Sequence, residues 1–529
     1  MNEPSGSIGM NTYAAGRTLS RNETPGHRDS AGPHCRKAPL LALVLLALSG
    51  CAVGPDFRQP AAPRASTFTE FPLPASTVTA PVTKGEAQRF VSGRDIPAQW
   101  WTLFQNKPLN DLITQALNDS PNLAAAQAAL REAVENRRAQ FGAQLPSVDA
   151  NFSATRQKFS SATFGQPNAG STIFTLYNAS VNVSYNLDLF GGTRRAVEAS
   201  QAQLDYQRYL LEASHLTLTS NLVTTAVQEA SLRARIKATA EIIAAEEEQV
   251  KLIERRLELG AGTRPELLAQ QSLLAQARST LPPLEKELSQ SRHQLAVLAG
   301  KFPSEAAALP QFNLADLTLP QELPLSLPSE LVRQRPDVLA AEEILHQASA
   351  QVGVATANLF PKITLTGSIG PQSVSFGDLF TNGSVWSLGA GILQPIFHGG
   401  ELKAKQRAAN AAYDQAEAQY RSTVLQAFQN VADVLRALDL DAQTLKALAE
   451  SEQAAKATFD LARQQYGFGA VNYLYLLDAE RQYLTARISL AQAQAARLAD
   501  SAALFQALGG GWWNGDGKPA NTLAAKSSQ

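Results

Sequence analysis

Cysteine, methionine and histidine are all scarce in this 529-residue chain, at two, two and six residues. Cys35 and Cys51 cannot build a disulfide framework or a multi-cysteine zinc site. The histidines are scattered, with His215, His293 and His346 in helical stretches, and no His-Glu-x-x-His pattern occurs. Phosphate-loop and nucleophile-elbow patterns are also missing, so the chain is expected to need no metal or cofactor and not to be an enzyme. An excess of either charge is lacking: 46 Lys+Arg stand against 47 Asp+Glu, a formal net charge of −1. That balance argues against a nucleic-acid binder relying on bulk positive charge. Beyond the N-terminal region no apolar run reaches about 18 residues, which excludes a helical multispan transporter but not a β-barrel. A hydrophobic fraction of 44% with 18% charged residues excludes a largely disordered chain.

Near the N-terminus, Arg36-Lys37 precede an apolar stretch from Ala38 to Leu48, followed by Ser49-Gly50-Cys51. A basic segment, a short apolar segment and small residues before a cut site read as a secretory signal over 1–50. The Leu-Ser-Gly-Cys ending resembles a bacterial lipobox, in which Cys51 carries lipid and becomes the new N-terminus. Ala52 follows, where an aspartate would commonly signal inner-membrane retention, so sorting to the outer membrane is favoured. About 35 polar residues precede the apolar segment, longer than a usual signal start and in keeping with a misplaced start codon. Residues 51–98, rich in Pro, Thr and Ala, read as an extended lipid-anchored linker.

The remainder reads as a tandem duplication. Ser120-Pro121-Asn122-Leu123 matches Arg335-Pro336-Asp337-Val338, and Leu145-Pro146 matches Phe360-Pro361, both at an offset of 215. Phe190-Gly191-Gly192 matches Phe397-His398-Gly399-Gly400, and Leu259-Gly260-Ala261-Gly262 matches Tyr466-Gly467-Phe468-Gly469, at 207 to 208. The pattern predicts a first repeat over 99–309, a linker over 310–328, a second repeat over 329–508 and a tail over 509–529. Thr193 to Leu259 and Glu401 to Tyr466 contain no Gly or Pro. Each predicts a helix of roughly 100 Å at 1.5 Å per residue, inside long helical hairpins over 193–300 and 400–508. Val197, Leu204, Leu211 and Leu218 recur every seven residues, as do Val424, Val431, Leu438 and Leu445, the spacing of a coiled-coil-like seam. Pro282-Pro283 is expected to kink or break the returning helix of the first copy. Glu246-Glu247-Glu248 reads as a solvated helix face.

Period-two alternation from Ile173 to Leu189, with shorter runs at Val148, Ile363 and Trp386, predicts one β-hairpin per copy, over 146–190 and 361–397. Strands in lipid must close into a barrel, and bacterial barrels start at about eight strands. Four strands per chain therefore require several chains to pool them. Two chains give eight strands and three give twelve, and the arithmetic does not choose.

Together these residues resemble the outer-membrane efflux lipoproteins of the NodT type, in the TolC-like outer membrane factor superfamily. The resemblance runs from Cys51-Ala52-Val53-Gly54-Pro55-Asp56-Phe57 through Trp100-Trp101-Thr102-Leu103-Phe104. It continues through Arg335-Pro336-Asp337, Phe360-Pro361 and Pro395-Ile396-Phe397-His398-Gly399-Gly400 to Ala507-Leu508-Gly509-Gly510-Gly511-Trp512. It implies a mainly α fold with a membrane β-barrel: a homotrimer with four strands per chain in a 12-stranded barrel, continuing into a long periplasmic α-helical barrel.

The resemblance also implies a passive exit duct for small molecules such as drugs and toxic compounds. Its partners would be outer-membrane lipid, a periplasmic membrane-fusion adaptor and an inner-membrane pump of the resistance-nodulation-division class, with no nucleic acid. No cofactor is implied beyond covalent lipid on Cys51. By register Asp478 matches a gate aspartate, and Tyr475 takes the place of another. Gly260, Ala261, Gly262, Thr263 and Arg264, with Gly467, Phe468 and Gly469, become the adaptor-docking tips. Two other readings share some of these features: the same fold as an exit duct for type I protein secretion, and a lipid-anchored coiled-coil scaffold without a pore.

Overall fold

A computed structural model of the chain describes residues 52–70, 72–160, 170–381 and 383–515; the leader, Cys51 and residues 516–529 lie outside these. In chain order the elements are β1 (Arg89–Ser92), α1 (Lys107–Asp119), α2 (Pro121–Gly142), β2 (Ser147–Ser160), β3 (Ser171–Leu187), α3 (Gly192–Glu258) and α4 (Arg264–Leu298). After a crossing segment come β4 (Glu322–Leu325), α5 (Pro328–Gln334), α6 (Pro336–Ala357), β5 (Lys362–Ser373), β6 (Ser384–Leu393), α7 (Glu401–Gly467) and α8 (Tyr473–Ala507).

Equivalent helices have equal lengths in the two halves. α2 and α6 have 22 residues each, α3 and α7 have 67, and α4 and α8 have 35. Their starts lie 215 apart before the β-hairpins and 209 apart after them. The offset of 207 to 208 inferred from glycine motifs is therefore corrected. Those motifs align chemically similar glycines, whereas the backbone aligns glycines of the same conformation. Gly191 and Gly400, both at positive φ, cap the starts of α3 and α7.

The four long strands form one antiparallel sheet in the order β2-β3-β5-β6. Its register sorts the side chains by face. Val148, Val183, Gly367 and Leu388 pair across one row, and Asp149, Asn182, Ser368 and Ser387 pair across the next. Across these rows one face is apolar and the other polar, with the Ser368 and Ser387 hydroxyls 2.9 Å apart; nearer the end of β2, Arg156 and Lys158 stand on the first face and Phe174 and Leu176 of β3 on the second.

The long helices are held by their heptad seams. Val424, Val431, Leu438 and Leu445 of α7 are all buried, as are Leu204 and Leu218 of α3, while Val197 and Leu211 are half-buried. α3 is central and packs against α1, α2, α4, α6 and α8. The main core sits midway along the helices. There Trp100 stacks on Phe505 at 5.3 Å, and Ile96, Phe104, Leu317 and Leu323 fill the remaining space.

Two segments expected to be plain linkers contribute to that core. β1, from the Pro-rich N-terminal segment, pairs in parallel with β4, from the segment between the repeats. Neither alternation nor turn chemistry announces strands this short. Arg497 of α8, 1% exposed, clasps the N-terminal segment. It donates to the Lys84 carbonyl at 2.6 Å, the Thr77 hydroxyl at 3.2 Å and the Gln88 side-chain oxygen at 2.9 Å. The start of the expected C-terminal tail also docks. Trp512 donates to the Gln334 carbonyl at 2.7 Å, and Asn514 to the Ile96 carbonyl at 2.8 Å.

Pro282-Pro283 does not interrupt α4, which is continuous from Arg264 to Leu298. Each proline removes one backbone donor, but the two prolines and the preceding turn at Arg278-Ser279 are exposed, so water can reach the freed carbonyls. Replacing Arg497 with Met should leave the buried Gln88 side-chain oxygen and the half-buried Lys84 carbonyl without this donor, while the Thr77 hydroxyl still accepts from Gln88 N–H, and cost about 1–3 kcal/mol. The expected result is a lower unfolding midpoint with faster proteolysis between residues 75 and 92, measured by thermal melts and limited digestion.

Candidate functional site at the hairpin tips

The two helical hairpins turn at one end by the same local device. At the first tip, Gly260 (φ 73°) follows the C-cap residue Leu259, and Ala261 N–H returns to the Arg256 carbonyl at 2.8 Å. At the second, Gly469 (φ 72°) follows Phe468, and Ala470 N–H returns to the Gln465 carbonyl at 2.9 Å. Both are left-handed glycine stops with a six-to-one bond. Gly260 therefore corresponds to Gly469, whereas Gly467 is the last residue of α7 and has open space around it.

The outgoing helices start with matching caps. Thr263 and Glu266 form a capping box ahead of α4, whose first residues are Arg264 and Pro265. The Asn472 side chain accepts from Tyr475 N–H at 2.9 Å ahead of α8. All eight expected docking residues lie on these two turns. Large apolar side chains project beside them, Leu259 at 77% exposed and Phe468 at 88%.

Asp478 and Tyr475 lie three apart on an exposed face of α8. Arg481 and Gln482 donate to the Asp478 carboxylate at 2.7 and 2.6 Å. The Arg481 and Gln482 bonds hold it below the usual carboxylate range, so it is charged at neutral pH. Within one chain, Asp478 and Tyr475 share a face without a hydrogen bond between them.

The opposite face of α8 carries polar groups that the sequence reading missed. Tyr473, Glu480 and Arg487 recur every seven residues and meet α3. The Tyr473 hydroxyl donates to the Gln249 side-chain oxygen at 2.9 Å, and Arg487 pairs with Glu241 at 2.6 Å. Nearer the tip, Arg256 lies 5.0 Å from the Tyr466 ring centre and hydrogen-bonds its hydroxyl.

Between these contacts lie two buried carboxyls, Glu246 at 6% and Glu480 at 5% exposed. Gln270 of α4 donates to Glu246. The Glu246-Glu247-Glu248 run is therefore not one solvated face, because successive helix residues point about 100° apart. Glu247 pairs with Arg278 and Glu248 with Lys251 at the surface, while Glu246 turns inward. Burial, reinforced by Glu246, lifts Glu480 from 4.5 to about 7. Burial also raises Glu246, against the Gln270 hydrogen bond. A polar heptad at 473, 480 and 487 was the available signal.

The sequence profile described as outer membrane efflux protein matches residues 112–301 and 327–510. The chain belongs to this family. The two matched segments start at the same 215-residue offset as the repeat and include both tips, with Tyr475 and Asp478. The pyoverdine export outer membrane protein OpmQ of Pseudomonas putida is 33% identical over 450 residues, 83% of this chain and 94% of that protein. The structure of the outer-membrane channel OprN aligns with a TM-score of 0.77 at 30% identity, over 87% of this chain and 100% of that one. The open state of the Neisseria gonorrhoeae MtrE outer membrane channel aligns at 0.74 and 28%, over 87% and 99%. The protein is thus a TolC-like efflux channel component of the outer membrane, not an enzyme.

The two tip glycines of the second hairpin should respond oppositely to substitution. Gly469→Ala forces a side chain into the left-handed region and should cost about 1 kcal/mol. Gly467→Ala replaces glycine in a helical, uncrowded position and should be neutral or stabilising by about 0.5 kcal/mol. Amide exchange at residues 464–472 reads both effects, with protection falling in the first variant and kept or raised in the second.

Proposed function

We propose that three copies of this chain close one 12-stranded barrel and one helical tube, forming a passive exit duct through the outer membrane. The observation that carries this reading is the sheet. It has an apolar and a polar face, and its edge strands β2 and β6 have no further strand partner among the described residues. An edge in lipid leaves backbone groups unsatisfied, so the edges must meet those of other copies. The resemblance to TolC-like channels supports three copies rather than two in this reading. The apolar face then meets lipid and the polar face lines water.

Lipidation of Cys51 fits the start of the described chain. Ala52 packs against Gly191 at the β3–α3 junction, so closely that a Cβ on that glycine would lie 2.6 Å from the Ala52 Cβ. Val53 N–H donates to the Phe190 carbonyl at 3.0 Å, Arg195 pairs with Asp56 at 2.5 Å, and Phe57 stacks on His346 at 4.3 Å. These contacts hold the segment after Cys51 where sheet becomes helix, which supports a lipid on Cys51 that would enter the periplasmic leaflet at that level.

At the other end, three copies of Asp478, with Tyr475 beside each, would narrow the entrance as charged rings. The exposed tips with Leu259 and Phe468 suit docking by a periplasmic adaptor. The adaptor in turn couples to an inner-membrane pump, of the resistance-nodulation-division class in this reading. The pump supplies the energy, and the duct itself needs no cofactor. OpmQ is named for pyoverdine export; for this chain the cargo class is small molecules expelled from the cell.

The native mass of detergent-extracted, unheated protein, corrected for bound detergent, should be that of a trimer, and a stable monomer would overturn the duct. In planar bilayers Asp478→Ala should raise conductance. An unchanged conductance would return Asp478 to the role of a solvated helix residue.

A further inference from the structure

The seam between α3 and α8 joins the two helical hairpins of one chain near their tips. Along it the polar contacts form rungs: Arg487 with Glu241 and Tyr473 with Gln249, with Arg256 and Tyr466 closing the end, and between the first two lie the buried carboxyls Glu480 of α8 and Glu246 of α3. Three of these rungs are complementary, pairing cation with anion, hydroxyl with amide, and cation with ring. The Glu480–Glu246 rung sets carboxyl against carboxyl, and it is also the buried one.

Its surroundings supply little compensation. Gln270 of α4 donates one hydrogen bond to Glu246, and the side-chain oxygen of Gln270, itself fully buried, has no partner among the described residues. One oxygen of Glu480 also has none. The other titratable groups around the rung are Arg463 and Tyr466 on α7, Tyr473 on α8 and Arg256 on α3. Arg256 is engaged by Tyr466, and Arg463 forms no ion pair with either glutamate at contact distance among the described residues. Two ionised carboxylates there would repel each other in a seam with no counter-ion in contact. A single proton removes the repulsion and supplies a donor for the unpaired oxygens.

We propose that the Glu246–Glu480 rung is a proton-dependent latch between the two helical hairpins: with a proton it holds α8 against α3, and on losing that proton to water it releases the periplasmic end. The closed seam binds the proton more tightly than the separated one, so low pH favours closure. Closure is fully favoured below about pH 4.5 and is lost as pH rises through about 7, the ordinary and the raised values for Glu480. Asp478, exposed and charged throughout, does not supply this dependence. The gating role of the latch rests on the duct reading above, but its effect on the seam does not require conduction.

Hydrogen exchange of the full-length detergent-extracted protein, corrected for intrinsic base catalysis, tests the latch. Between about pH 5.5 and pH 8, amide protection in residues 241–256 and 473–487 should fall by about tenfold in the wild type. Glu480→Gln, a mimic of the protonated side chain, should keep its protection across that range, and Glu246→Gln should do the same should the first variant fold poorly. Wild type and both glutamine variants sharing one pH profile would overturn the proposal. Flattened profiles in the variants support it even where bilayers show no conductance, a result that would count against the duct and not the latch.

Discussion

A helix of 67 residues, about 100 Å long, holds no fixed position unless a continuous stripe along it is buried, and in this chain two such helices depend on that burial. Along α7 the stripe is Val424, Val431, Leu438 and Leu445, and α3 contributes its own while touching five other helices. Each such side chain, once buried, contributes about 1.5–3 kcal/mol. The sheet at one end and the turns at the other are local structures with little core of their own. Their placement follows from the seam.

At the upper end, that seam meets a change of solvent. The sheet needs one greasy and one wet face, the helices need a buried stripe and a polar remainder, and the chain must pass from one to the other without wasting residues. Gly191 and Gly400 make this transition in the left-handed conformation, and the first residues after Cys51 are packed against the first of them. The middle core, with Trp100, Phe505 and the β1–β4 pairing, braces the halves where the two repeats are joined.

Towards the tips the seam becomes polar. Apolar burial shrinks to a small cluster around Ala462, Leu476 and Ala479, and side-chain pairs carry more of the α3–α8 contact. Polar rungs contribute less than buried leucines and respond to pH and salt. Fixed helices above and a titratable seam below give one end of the molecule the smaller barrier to motion.

The outline of the fold was legible in the residues. Two stretches without glycine or proline, glycine stops at their ends, period-two strands before each, and a 215-residue repeat determined the helical hairpins and the strands. These are local signals, since periodicity and turn chemistry depend on neighbours in sequence. Which of three consecutive glutamates turns inward, that Gly469 and not Gly467 matches Gly260, that the Pro-rich segment pairs with the inter-repeat segment, and that two exposed prolines leave α4 unbroken were decided only in the tertiary structure. In each case the deciding partner lies across a packing interface or in the solvent. A helix's own sequence shows the stripe it must bury, but not the residue from another helix that will face it.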